Sequence, residues 1–91
     1  VEKSRCTYQT AKFIVHASPN PTTGLINILL ENFNPESVYT VGIFDSFGNE
    51  KDNFTMTTSE ITRDITSYKN DTYTIIVKDG VDVGTFKIVK M

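Results

Sequence analysis

Apolar residues along this chain recur at every second position, in short runs separated by polar, turn-forming segments. Ile26, Ile28 and Leu30 share one side of an extended segment, with Asn27 and Glu31 on the other. Val41 and Ile43 repeat the pattern, as do Ile61 and Ile65, then Tyr73, Ile75 and Val77 opposite Thr74 and Lys78. Phe86 and Ile88 close the series, with Lys87 opposed. A period of two belongs to strands with one buried face. The pattern predicts strands over 13–17, 25–31, 38–45, 50–57, 60–66, 72–78 and 83–90. Seven short half-buried strands in 91 residues predict an all-β, seven-stranded immunoglobulin-like β-sandwich; a small closed barrel is the alternative. The segment 50–57 opens on Glu50-Lys51-Asp52-Asn53, too polar for a central strand, and is placed at an edge.

The breaks between strands carry their own chemistry. Pro19 and Pro21 fix φ and lack an amide donor, so the Pro19-Asn20-Pro21 corner is expected to end one strand, with Gly24 supplying the backbone freedom to enter the next. Asn34-Pro35-Glu36-Ser37, Ser46-Phe47-Gly48-Asn49 and the segment 67–71 provide further turns. Asp79-Gly80 reads as a type I′ hairpin turn, with positive φ at both residues. Residues 1–12 are polar without alternation and read as a linker, leaving 13–91 as one domain.

Composition narrows the function more by exclusion than by assignment. Charges are interspersed and the net charge is −2, so no basic face for nucleic acid is visible. No apolar run approaches the roughly 20 residues of a membrane-spanning helix. The first residues lack the apolar core of a signal peptide, which predicts a cytosolic protein or a piece of a larger precursor. Cys6 is the single cysteine and is expected to be a free thiol in the linker.

Groupings of reactive side chains are scarce in this sequence. His16 is the one histidine, expected exposed or at the rim of a strand, and without companions for zinc or for a nucleophile. Asp79 and Asp82 flank a hairpin tip and lack an EF-hand pattern. Asp45 and Asp64 lie near strand ends, where carboxylates accept backbone amide bonds. The residues call for no cofactor, and catalysis is not expected.

Taken in order, the motifs resemble those of the C-terminal sorting domain of the type IX secretion system of Bacteroidetes. Pro19-Asn20-Pro21 with Gly24 matches the family's first corner, and Ile43-Phe44-Asp45 with Gly48 its strand closed by Asp and Gly. Asp64-Ile65-Thr66 stands for an Ile-Asp-Leu-Ser-like strand, and Tyr73 for the Tyr of a Gly-x-Tyr motif. Asp79-Gly80 and the tail Lys87-Ile88-Val89-Lys90 match the closing hairpin and basic-apolar end. Asp71-Thr72 departs from the family's Gly-Val, Lys51-Asp52 replaces apolar residues, and Met91 follows the terminal lysine.

The resemblance implies a non-catalytic signal attached behind an N-terminal cargo. It would pass through the periplasm, be recognised by an outer-membrane shuttle of the secretion machinery, and reach the cell surface or the medium. In many members a sortase-like peptidase removes the domain. The sequence leaves open whether two copies associate. The last strand, 83–90, together with the nearby Pro19-Asn20-Pro21 corner, is the expected recognised element, with Lys87 and Lys90 facing the partner while Phe86 and Ile88 anchor the strand. The runner-up is an immunoglobulin-like adhesion or spacer module. A carbohydrate-binding sandwich would need a face of exposed aromatics, which the scattered Tyr8, Tyr39, Phe47, Phe54 and Tyr68 do not define.

Overall fold

The computed structural model describes residues 4–10, 12–20 and 22–91. Eight strands follow one another: β1 (Ser4–Gln9), β2 (Ile14–Asn20), β3 (Leu25–Glu31), β4 (Tyr39–Phe44), β5 (Glu50–Met56), β6 (Glu60–Asp64), β7 (Asp71–Lys78) and β8 (Val83–Lys90). They form two four-stranded sheets, ordered β1-β2-β3-β6 and β5-β4-β7-β8. All neighbouring strands pair antiparallel. The chain changes sheet between β3 and β4, between β5 and β6, and between β6 and β7. The sandwich is as the alternation implies, and β5 lies at an edge as its polar opening implies.

Among the described residues the strand count is eight, not seven. The additional strand is β1, in the segment whose sequence reads as linker. Thr7, Tyr8 and Gln9 are all exposed, so burial imposes no period of two on these three residues. Its stability comes from the ladder with β2, in which Thr7 lies opposite His16 and Tyr8 opposite Val15. A polar strand held by backbone bonds at an edge is invisible to hydrophobic patterning.

β2 also runs further than the prolines suggest, through Pro19 to Asn20. Its last partner on β3 is Ser18, and the register against β1 slips between Cys6 and Ser4. Pro19 therefore falls in an irregular stretch where its nitrogen owes no ladder bond, the kind of place where a strand tolerates proline. Pro21 lies outside the described residues.

The inward faces meet in one cluster. Val15, Ala17, Ile26, Ile28 and Leu30 from one sheet pack with Val41, Ile43, Tyr73, Ile75, Val77, Phe86 and Ile88 from the other, all buried. Phe13 meets Tyr39 edge-on with ring centroids 5.5 Å apart, and Phe33 stacks on Tyr39 at 5.0 Å. The Tyr39 hydroxyl accepts the Asn34 amide at 3.0 Å, so its polar end is satisfied.

His16 departs from expectation. It lies on the outer face of its sheet yet is buried, because Thr7 and Glu31 close on it from both flanking strands. Its Nδ1 is 2.8 Å from Thr7 Oγ1 and its Nε2 is 2.8 Å from Glu31 Oε2. The histidine thus ties β1, β2 and β3 together.

β1 also touches the opposite sheet. A Cβ on Gly84 of β8 would stand 3.2 Å from Tyr8 Cδ1 and 3.3 Å from Val15 Cγ1, so β8 approaches β1 and β2 closely here. A fragment beginning at Thr10 loses this contact, the Thr7–His16 bond and a full ladder. We expect its urea midpoint to fall, at a loss of about 2 kcal/mol. A midpoint equal to that of the whole chain would show that β1 adds nothing to stability.

Candidate functional site

Antiparallel pairing places the ends of the strands at two opposite poles. One pole gathers the start of β1, the β2–β3 connection, the turn between β4 and β5, the β6–β7 corner and the end of β8. Most of the motif residues singled out from the sequence converge here. Asn20, Gly24, Asp45, Gly48, Tyr73 and Lys90 lie at this end, with Pro19 one residue inside β2. Gly80 does not; it sits at the far pole in the β7–β8 loop. Lys87, Ile88 and Val89 lead along β8 toward the motif-bearing pole.

The connection after β2 is clasped to the last strand. Thr22, 1% exposed, donates its amide to Val89 O at 2.8 Å, and its carbonyl accepts the Met91 amide at 2.8 Å. Its hydroxyl donates to Leu25 O at 2.7 Å and accepts from Gly24 N at 3.1 Å. A hydroxyl two residues ahead of an amide makes a Ser/Thr turn, the one signal by which Thr22 is findable in sequence. Gly24 serves a purpose other than backbone freedom: a Cβ there would collide with Thr66 Oγ1. That oxygen cannot swing aside freely, because it donates to Asp64 Oδ1 at 2.5 Å, while Gly24 O accepts the Ile65 amide at 2.6 Å. Gly24→Ala is therefore expected to lower the melting temperature, and an unchanged melt would remove the close approach as its reason.

The turn between β4 and β5 is held from several directions. Asp45 Oδ1 accepts the amides of Phe47 and Asn49, each at 2.9 Å, and Oδ2 accepts Asn49 Nδ2 at 3.2 Å. Gly48 has φ +86°, a conformation that strains side-chain-bearing residues. From the neighbouring strand, Asp71 Oδ2 accepts Ser46 Oγ at 2.8 Å and Ser46 N at 3.3 Å. Asp71, where the resemblance leads one to expect glycine, thus braces the turn with its carboxylate and needs no left-handed backbone.

Tyr73 explains its own place in the motif. Its ring is buried and its hydroxyl donates to Lys69 O, four residues upstream, at 2.7 Å. This is the tyrosine corner of immunoglobulin-like sandwiches, which fixes the crossing from one sheet to the other. Burial raises the phenol pKa, so the hydroxyl remains a donor. Tyr73→Phe leaves Lys69 O without that donor and should cost about 1 kcal/mol in urea unfolding, with an unchanged denaturant slope.

On β8 the strict alternation corrects one expectation. Lys87 is exposed, but Lys90 is of opposite parity and buried, its Nζ 3.4 Å from Asn70 Oδ1. The two lysines cannot face one partner together; Val89 joins Lys87 on the outward side. The β7–β8 loop also differs from the expected type I′ turn. Only Gly80 has positive φ there, at +104°, and the loop closes over four residues through Asp79 N to Asp82 O at 3.1 Å and Asp82 N to Asp79 Oδ1 at 2.9 Å.

Three carboxylates of this pole have lowered pKa values. Asp45 is held down chiefly by the Asn49 amide, Asp64 by the Thr66 hydroxyl, and Asp71 by the Ser46 hydroxyl. A depressed folded pKa contributes stability above the ordinary carboxylate range, lost as pH falls through the folded value. Unfolding should therefore steepen below about pH 4. Asp71→Asn is expected to lower stability at neutral pH and flatten that acid limb; an unaltered pH profile would contradict it.

Among the described residues no group of three His, Cys, Asp or Glu is placed to hold a metal ion. The depression beside the β4–β5 turn, about 370 Å³, is an open groove lined by Phe44, Asp45, Ser46, Gly48, Thr74 and Lys87, among others. No helix among the described residues is long and apolar enough to cross a membrane.

The fold and the tyrosine corner define an immunoglobulin-like β-sandwich, and comparison with solved structures agrees. A DUF3244 family protein with an immunoglobulin-like β-sandwich fold, from Bacteroides vulgatus, superposes with a TM-score of 0.66 at 15% identity, covering 94% of this chain and 98% of the other. At that identity the likeness is one of fold. No curated protein matches the sequence significantly. The profile of the secretion system C-terminal sorting domain matches residues 17–91, and the chain belongs to that family. Membership implies interaction with the secretion machinery, attachment to cargo, and export to the cell surface or medium.

Proposed function

We propose that this domain is the address by which an N-terminally attached cargo is carried across the outer membrane by the type IX secretion system. The supporting observation is the family match over residues 17–91, reinforced by the gathering of its motif positions at one pole. Gly24, Asp45, Gly48 and Tyr73 each do something mechanical, as a close approach, a braced turn or a tyrosine corner, and the neighbouring Thr22 adds the clasp. Together they present one rigid end of a sandwich to a receptor, which lowers the ordering cost of binding. The recognised surface is this pole rather than the edge of β8 alone, since Thr22 already occupies backbone groups of Val89 and Met91. Transit runs through the periplasm, where the folded domain is met by an outer-membrane shuttle. The alternative of an adhesion or spacer module rests on shared fold only.

Removal by a sortase-like peptidase is the second half of the proposal. Because Ser4–Gln9 is paired into the sheet as β1, a cut on the cargo side of Ser4 leaves the sandwich whole. The released domain is expected to begin at or before Ser4 by mass spectrometry. A fragment starting after Gln9 would return the boundary to the polar segment.

The decisive experiment fuses the chain behind a periplasmically targeted reporter in a host with a working type IX system. Reporter is expected outside the cell in that host and retained in a strain lacking the outer-membrane translocation machinery. Retention in both strains would overturn the reading, as would equal release from both.

A further inference from the structure

Phe47 is 87% exposed, the most exposed large apolar side chain among the described residues. It stands at the tip of the turn between β4 and β5. Its amide is bonded to Asp45 Oδ1 at 2.9 Å, while the adjoining residues are held by Asp45, Asp71 and the left-handed Gly48. The ring takes no part in the core cluster or in the packing that partly buried residues such as Phe54 and Tyr68 make against it.

Stability does not account for a phenyl group here. The turn needs the backbone amide of this residue, which any non-proline residue supplies. It needs nothing from a side chain that points into water. A polar residue would leave the fold as it is and remove an aggregation liability. An isolated exposed aliphatic residue needs no explanation, and Val81, 80% exposed at the far pole, is of that kind. Phe47 differs in three respects. It is aromatic, it is carried by a turn locked from two strands, and it lies at the pole where the family's motif positions gather. A large ring displayed on a backbone that no longer has to be ordered is the anatomy of an interface anchor.

We infer that Phe47 is the anchor by which the motif-bearing pole docks into an apolar pocket on a protein of the export machinery. The braced turn is what makes the anchor effective. Asp45 and Asp71 fix the direction in which the ring projects, so association does not have to freeze a mobile loop. The inference rests on the sorting function proposed above and names the residue that carries recognition within it.

The test uses the same reporter fusion with Phe47→Ser, Phe47→Tyr and, as control, Val81→Ser. Purified Phe47→Ser domain is expected to melt like the parent, because the ring packs on nothing. Export of the Phe47→Ser fusion should fall at least about tenfold, as truncation of an anchor residue does to affinity. Phe47→Tyr should restore most of it, and Val81→Ser should export normally. Free parental domain overproduced in the periplasm should compete with the parental fusion, and free Phe47→Ser domain should not. Export of Phe47→Ser equal to the parent overturns the anchor while leaving the sorting function standing. An equal loss on Val81→Ser overturns it too, since any exposed apolar residue would then serve. Retention of the parental fusion itself removes the sorting function, and the anchor with it.

Discussion

Neither sheet of this protein is stable alone, because each carries an apolar face that water penalises. Everything else in the architecture follows from pressing those two faces together. Among the described residues the joined core holds sixteen buried hydrophobic side chains, drawn from both sheets and their connections. In a domain of this size such a core gives a modest margin, so the crossings that bring the faces into register matter disproportionately. The tyrosine corner at Tyr73 fixes one crossing. The clasp of Thr22 onto Val89 and Met91 ties the β2–β3 connection to the far sheet. Arg63 and Asp52 pair across the opposite side, joining β6 to β5, with the guanidinium 4.2 Å above the Phe54 ring.

These crossings lie largely where the family motifs lie, which changes what the motifs mean. Gly24 is small because Thr66 is in the way, Asp45 is acidic because amides converge on it, and Tyr73 is a phenol because a carbonyl needs a donor. Such residues build a surface without necessarily touching what binds it. In the proposal made above, the contact itself falls to a neighbour that no structural demand explains, Phe47.

The legible parts of the sequence are those where burial writes a period of two. Strands β3, β4, β7 and β8 can be read with nearly their observed bounds, since each alternates between core and outer face. β1 escapes such a reading because an edge strand with three successive exposed side chains has no periodicity to detect. The burial of His16 escapes it too, since that burial arises from cross-strand partners on β1 and β3, a relation absent from local sequence. The parity of β8, by contrast, is legible: residues three apart on a strand face opposite ways, so Lys87 and Lys90 cannot share a side. The clustering of motif positions at one pole needs the topology, because it depends on which sheet each strand enters.

The start of β1 and the end of β8 emerge at the same pole, and this governs how the domain resists being pulled. Bonds between antiparallel strands run perpendicular to the chain, so tension drawing Ser4 straight outward loads every β1–β2 bond at once. Tension from the side loads them one at a time, like opening a zip. A tether leaving along the long direction of the strand is mechanically strong, and the same tether bent sideways is weak. The angle at which a load is applied, rather than its size alone, decides whether the first strand stays in place.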